Sequence, residues 1–324
     1  MEKSGRVNIP GQLLSLIRTQ STQAIPPGIG ALADVARREH GDAVCAVLFY
    51  GSCLRSGNVY DGLADLYLLV DDYSAAFESR IPAYFNKLLP PNVFYLELPY
   101  QGHTLRAKYA VLTLADFRKG TECWFHSYLW GRFAQQSGLI YVRDQQVAGE
   151  VQKALAAAVL TFVARALPQV KSPFTARDLW AKGLALSYRS ELRTEQPDGA
   201  ARLFDSAPEY YQALTAAALA ALPLAVKPCT DAEAGPARYR VQISPRAQSL
   251  NRWGWRARAW QGKILSVLRL LKGLATFKGG VDYILWKIER HSGVRIEVGP
   301  RLKRLPPVAV CVIFWRLYRR GAFR

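Results

Sequence analysis

The sequence predicts an α+β chain, with strands interleaved with helices at the front, a mostly helical middle and a basic, helical end. Four short and nearly continuous apolar runs, residues 43–50, 64–70, 92–98 and 105–112, have the length and flanks of buried strands, and a helical pattern at 73–89 separates the second from the third. Residues 145–167 are Ala-rich with a period near 3.6, which is a helix that buries most of its circumference. The positive charge is confined to the last quarter of the chain.

Taken in order, Leu13, Leu14 and Ile17 lie on one helical face, Ile25-Pro-Pro-Gly-Ile-Gly30 punctuates, and residues 31–38 form a second helix. The strand at 43–50 stops at Gly51-Ser52, and the strands and helix named above then alternate to residue 112. Thr175-Ala-Arg-Asp178 has the spacing of an N-cap opening a helix through Leu186. A Gly/Pro-bearing stretch at 229–236 precedes two basic segments, 250–273 and 279–290, that are helical by pattern. These boundaries divide the chain into residues 1–143, a helical segment 144–237 and a basic region 238–324, without internal repeats.

With 324 residues and 50% hydrophobic content the chain supports one large or two ordinary domains, which excludes wholesale disorder. Its five cysteines, Cys45, Cys53, Cys123, Cys229 and Cys311, form neither a CxxC pair nor a Cys/His cluster. A zinc site and a disulfide framework are therefore not expected, and a reducing, cytoplasmic setting is. The first ten residues lack an apolar signal core, and the late apolar run 308–315 is far short of the ~20 residues that span a bilayer. Residues 1–237 hold 23 Lys and Arg against 22 Asp and Glu, whereas residues 238–324 hold 20 against 3, out of a net charge of +18. Such segregation marks a surface for polyanions, nucleic acid or acidic lipid headgroups, on an otherwise neutral body.

The strongest chemical signal is Leu48-Phe-Tyr-Gly-Ser52 followed by Leu63-Ala-Asp65-Leu-Tyr-Leu-Leu-Val-Asp71-Asp72. A buried strand ending in Gly-Ser, then a strand entered through an aspartate, is how polymerase-β-like nucleotidyltransferases present their substrate. On that pattern Gly51 would let the backbone approach a triphosphate, the Ser52 hydroxyl and nearby amides would bind its phosphates, and Asp65 would hold Mg²⁺. A second carboxylate is usual two places on, and Tyr67 stands there. Asp71 shares the face but lies roughly 20 Å along the strand, so it is expected to form a strand-end turn with Asp72. Glu97, a charge inside an apolar strand, is either the partner metal ligand or a solvent-facing residue. Arg106 and Lys108 alternate on the last strand, so both point to one face, toward a triphosphate or lipid phosphate or toward solvent. His40, His103, His126 and His291 are dispersed and read as surface or packing residues.

Several segments resemble, in order, the mitochondrial translocator-maintenance type of phosphatidate cytidylyltransferase and its bacterial relatives. Tyr50-Gly-Ser52 with Asp65 and Val70-Asp-Asp72 is similar to the family's glycine-serine turn and Asp-led strand. Lys108-Tyr-Ala-Val-Leu-Thr113, then Tyr128-Leu-Trp-Gly-Arg132, resembles its Lys-Tyr-Gly-Val strand and the helix after it. Leu184-Ala-Leu-Ser-Tyr188-Arg-Ser-Glu-Leu-Arg193 resembles its Leu-Ser-Tyr-x-Gly-Asp-Phe-Arg, with Arg189-Ser190-Glu191 in place of the Gly-Asp pair. Lys272-Gly-Leu-Ala-Thr-Phe-Lys-Gly-Gly280 resembles its closing segment.

The resemblance implies transfer of CMP from CTP to phosphatidic acid with Mg²⁺, on a nucleotidyltransferase domain joined to a helical, winged-helix-like domain and a basic C-terminal helix. It carries over Gly51, Ser52 and Asp65 to nucleotide and metal, and Lys108, Tyr188 and Arg193 to a cleft. Arg106 and Lys272 are then expected at the lipid phosphate. The basic end has a matching logic: Trp253, Trp255 and Trp260 interleave with Arg252, Arg256 and Arg258, and residues 308–315 precede Arg316, Arg319 and Arg320. Apolar faces flanked by cations suit a helix lying on the inner face of an anionic membrane. Basic, aromatic-bearing tails also bind nucleic acid, which leaves an RNA or small-molecule acceptor open. A lipid-binding scaffold without catalysis is the remaining alternative.

Overall fold

The computed structural model describes residues 8–60, 62–191, 199–229 and 236–276. Along them, α1 (Gly11–Ser21) buries Leu13 and Ile17, whose spacing of four puts them on one face. The helix α2 (Pro27–Arg38) starts earlier than its apolar spacing indicates, because Pro27 occupies the first turn, where a fixed φ and a missing N–H are tolerated. Next, β1 (Val44–Tyr50) is buried at every position, and after Gly51 comes the short α3 (Ser52–Ser56). The second strand, β2 (Ala64–Val70), is buried except at Asp65.

The pattern at 73–89 resolves into two helices, α4 (Tyr73–Ala76) and α5 (Arg80–Leu88). Each has its own N-cap, Asp72 accepting from the Ser74 amide at 2.7 Å and Ser79 from that of Ile81 at 3.4 Å. The strand-end turn expected at Asp71-Asp72 is therefore a helix cap, and the Ser74 bonds hold the Asp72 carboxyl below its ordinary pKa. A hairpin follows, β3 (Asn92–Tyr100) and β4 (His103–Thr113), closed by Gln101-Gly102 with φ of 49° and 78°. Two consecutive positive φ values are what a tight turn between right-twisted strands requires.

The rest of the described chain is α6 (Leu114–Glu122), α7 (Trp130–Phe133), β5 (Ser137–Val142), α8 (Gln145–Ala166), β6 (Phe174–Thr175) and α9 (Ala176–Arg189). Then come α10 (Gly199–Asp205), α11 (Pro208–Ala221), β7 (Val226–Pro228), β8 (Arg238–Val241) and α12 (Pro245–Thr276). The helix expected at 279–290 lies outside the described residues. The class is α+β, as the alternation of apolar runs predicted.

Contacts gather these elements into two units that are discontinuous in sequence, residues 26–112 with 267–276 and residues 8–25 with 113–266. In the first, the strands run β3-β4-β2-β1 along a mixed sheet. The β1–β2 pair is antiparallel with Tyr50 opposite Asp65, and β3–β4 is antiparallel with Glu97 opposite Arg106 and Tyr95 opposite Lys108. Ile29, Leu32, Ala33 and Ala36 of α2 cover the sheet. The second unit is built around α8, against which α1, α6, α7, α9 and α11 pack. The Phe162 ring stacks on Trp180 at 4.7 Å, and the indole N–H of Trp180 donates to Thr215 at 2.8 Å, so a large buried aromatic keeps its polar atom satisfied. The capping box at Thr175-Asp178 opens α9 as its spacing predicted. A small antiparallel sheet, β6-β8-β7, flanks these helices; its strands are two to four residues long and carry no readable alternation.

Candidate nucleotide-binding site

The bend after β1 and the head of β2 meet because of their register. Gly51 sits at φ 94° and ψ −160°, a region open essentially to glycine alone. A Cβ built on it would stand 2.8 Å from Asp65 Oδ2, so the carboxylate occupies the space a side chain would take. The other oxygen, Oδ1, faces Lys108 Nζ at 3.4 Å. The Asp65 side chain is 23% exposed and that of Lys108 35%, which leaves the pair accessible at the rim of the sheet. A carboxylate aimed at a glycine bend, with an ammonium beside it, brings together Gly51, Ser52, Asp65 and Lys108.

Tyr67, two residues along β2, is 1% exposed and packs edge-on against Tyr50 at 5.4 Å. The position where a second carboxylate is usual is thus part of the core. Among the described residues no three His, Cys, Asp or Glu side chains gather as a metal cage. Mg²⁺ is commonly held by one or two carboxylates, with substrate phosphates and water completing its shell. Asp65, 23% exposed beside the Gly51 bend, fits that demand as a single carboxylate ligand among the described residues.

The same sheet face carries a second charged group. Arg106 Nε donates to Glu97 Oε1 at 3.0 Å, and the Tyr95 hydroxyl donates to the same oxygen at 2.6 Å. Burial, then the Glu97 bond, pushes the Tyr95 phenol well above its ordinary pKa, so it remains a donor. Glu97 belongs to β3, with β4 between it and β2, which puts the Asp65 and Glu97 backbones about 10 Å apart or more. The structure therefore places Glu97 with Arg106 and Tyr95 instead of beside Asp65. The only sequence signal for Tyr95 is its i, i+2 spacing to Glu97, opposite the like-spaced Arg106 and Lys108.

Lys272, expected at an acceptor phosphate, is turned inward. Its ammonium donates to the main-chain carbonyls of Leu89 and Pro91, and Arg269 donates to that of Pro90 at 2.9 Å. Burial, then the nearby Arg269 charge, pulls the Lys272 pKa down to about 7.

Tyr188 lies in the other unit, half-buried near the end of α9, and Arg193 is outside the described residues. The residues after Tyr188 have structural partners: Ser190 hydrogen-bonds Ser127 and the Ser187 carbonyl, and Glu191 pairs with Arg132 at 2.9 Å. A Cβ on Gly262 would fall 2.1 Å from the Ser190 carbonyl oxygen, so that glycine admits α12 against the turn.

The tail aromatics divide by side of α12. Trp255 is 4% exposed and donates to the Arg165 carbonyl at 3.0 Å, while Arg258 donates to that of Phe125 at 2.9 Å. Burial, then the Arg258 charge, lowers the Arg165 pKa to about 10. Trp255 and Arg258 are therefore interior, which corrects their expected place on an outward face; Trp253 and Trp260 are outward, 64% and 74% exposed. Residues 308–320 lie outside the described chain.

His40 is a core residue, its Nδ1 2.7 Å from the Ala76 carbonyl and its ring among Phe77, Phe94 and Tyr109. His103 and His126 pack on Tyr60 and Trp124, and His291 is outside the described residues. The four cysteines described, Cys45, Cys53, Cys123 and Cys229, are free thiols.

No protein-family model matches the sequence, and no curated protein matches it.

Proposed function

We propose that the chain is a magnesium-dependent nucleotidyltransferase of polymerase-β-like fold, with a winged-helix-like second domain. It moves CMP from CTP to phosphatidic acid at a membrane surface, giving CDP-diacylglycerol and pyrophosphate. The observation that carries the reaction type is the Asp65 carboxylate lodged against the positive-φ Gly51 bend with Lys108 alongside. The nucleotide and the lipid acceptor rest on the ordered resemblance of residues 45–290 to phosphatidate cytidylyltransferases.

In such a transfer an acceptor phosphate oxygen bonds to the α-phosphorus of CTP as the bond to the β-phosphate breaks and pyrophosphate leaves. The acceptor is already anionic near neutral pH, so no general base is required. Positioning and charge neutralisation carry the rate. Gly51 and Ser52 bind the β- and γ-phosphates through backbone and hydroxyl donors. Lys108, paired with Asp65, screens the reacting phosphates, while Arg106, held by Glu97, adds a guanidinium on the same strand face. Asp65 would hold Mg²⁺, which would supply positive charge to offset that of the phosphates.

The outward face of α12 supports the membrane setting: Leu250, Trp253, Trp260 and Ile264 are each at least half exposed and recur at helical spacing, with Arg252, Arg256 and Lys263 exposed beside them. The test is to incubate purified protein with each labelled NTP and phosphatidic acid vesicles and to extract the lipid. Label in the lipid from CTP, dependent on Mg²⁺, is expected; no label from any nucleotide would refute the reading. Burial of Tyr67 favours one second reading, a lipid-binding scaffold with a vestigial nucleotide pocket. A scaffold would show no Mg²⁺-dependent affinity for CTP.

A further inference from the structure

In the unit formed by residues 8–25 and 113–266, a cavity of about 640 Å³ opens between the turn after α8, the outer side of α9, the end of β8 and the start of α12. Lys171, Lys182 and Arg252 all line it, and no acidic side chain does. Among the described residues, the side chains of Lys171 and Lys182 make no hydrogen bond or ion pair, and Arg252 donates to the Ser249 hydroxyl at 2.9 Å without a carboxylate partner. None of the three belongs to the transfer site proposed above. Three like charges brought to one concavity repel each other, and an anion seated between them reverses the sign of that interaction.

The remaining lining narrows the ligand. Val170, Val241 and Ile243 supply apolar wall, and the Ser172 hydroxyl and Gln169 and Gln248 carboxamides supply polar atoms. The volume lies within the usual range of ligand pockets and exceeds what a bare inorganic anion fills. No aromatic residue lines it, so it offers no platform on which a base would stack. A phosphomonoester carries close to two negative charges at neutral pH and three acceptor oxygens, which match two ammonium groups and a guanidinium.

We infer that this cavity is a binding site for a phosphomonoester with an aliphatic body, its phosphate held by Lys171, Lys182 and Arg252 and its body against Val170, Val241 and Ile243. The phosphate is supplied either by a small soluble ester or by the monoester headgroup of a lipid. The inference rests on this unit alone, and a binding readout without turnover keeps its outcome separate from that of the proposed reaction.

The test is lysine acetylation of the whole chain, followed residue by residue by mass spectrometry, with Lys153 and Lys227 as exposed controls in the same unit. One arm adds glycerol 3-phosphate, a second adds vesicles of phosphatidic acid in phosphatidylcholine, and controls use phosphatidylcholine vesicles and sodium sulfate at matched ionic strength. Acetylation of Lys171 and Lys182 is expected to slow about tenfold with the controls unchanged, and Arg252→Gln should raise the half-protecting concentration about tenfold. Protection by glycerol 3-phosphate assigns the soluble ester, and protection by phosphatidic acid vesicles alone assigns the headgroup. Protection in neither arm, or equal slowing of all four lysines or in sulfate, overturns the inference.

Discussion

Gly51 and Asp65 end adjacent strands, and the β1–β2 register, with Tyr50 opposite Asp65, brings the bend and the carboxylate together whatever the side chains around them do. Two substitutions separate chemistry from folding here. Asp65→Ala removes a partly exposed side chain at the head of its strand, so the melting temperature should stay within a few degrees while turnover falls by about 10² or more, read as labelled lipid per unit time. Gly51→Ala acts on both: an alanine at φ 94° costs about 1–3 kcal/mol, and its methyl displaces Asp65 Oδ2 from 2.8 Å. The comparison is Gly57→Ala, also at positive φ (68°) but with nothing within 4 Å, which should lower the melting temperature and leave turnover intact. Equal activity in the Gly51 and Gly57 variants would remove the steric coupling. Asp65 was legible in the sequence as a charge heading an apolar strand. Its contact with Lys108 was not, because spatial strand order, β4 beside β2, is not written in linear spacing. Tyr67 was legible as a departure, and its burial against Tyr50 explains what the position does instead.

At the scale of elements, the long apolar runs and the strongest cap signals were readable, since period and capping chemistry are local. The strands β6, β7 and β8 were not, being too short to show a period, and the split of residues 73–89 was hidden because Ser79 caps a helix from inside a pattern that spacing alone continues. The capping box gives a direct test: Thr175→Ala should cost about 1 kcal/mol in urea unfolding with an unchanged slope. The end of α12 gives another. Lys272 has a folded pKa of about 7 against 10.5 as its ordinary value, so between those limits the unfolded chain binds a proton that the folded one does not. Stability contributed by this group therefore rises with pH from about 7 toward 10.5, and its charging penalty is present in full below 7. The melting temperature of Lys272→Met, relative to the native chain, should fall as pH goes from 7 to 9. The variant should also lose about 1–3 kcal/mol because the Leu89 and Pro91 carbonyls lose their donor. Parallel pH curves for the two proteins would show that burial leaves the amine charged.

At the scale of the molecule, hydrophobicity is spent in two different ways. The stretch Gln145–Gln169 is long and apolar enough to cross a bilayer, yet 72% of its apolar window is buried within the protein, where α8 is packed on by other helices. The exposed apolar residues of α12 bury against nothing in that unit, and they lie in the quarter of the chain where 20 Lys and Arg face 3 acidic residues. The sequence showed that segregation but not its geometry: Trp253, Trp255 and Trp260 look equivalent in a line of text, and only the helix's packing divides them into one anchor to the core and two outward rings. Arg256 lies over the Trp253 ring at 5.0 Å, so a cation is carried with the aromatic. Near an anionic bilayer each such cation adds about 1 kcal/mol, and the rings add burial of their own. The double variant Trp253→Ser/Trp260→Ser should therefore melt as the native chain does and lose most of its cosedimentation with vesicles containing phosphatidic acid. Binding of the native chain should weaken steeply between 0.1 and 0.5 M salt, on the order of the Debye-length change. Trp255→Ser should do the opposite, destabilising the fold by about 3 kcal/mol or more through its buried ring. If the double variant binds vesicles like the native chain while Trp255→Ser still unfolds early, α12 is a packing helix alone, and membrane attachment has to come from residues beyond 276.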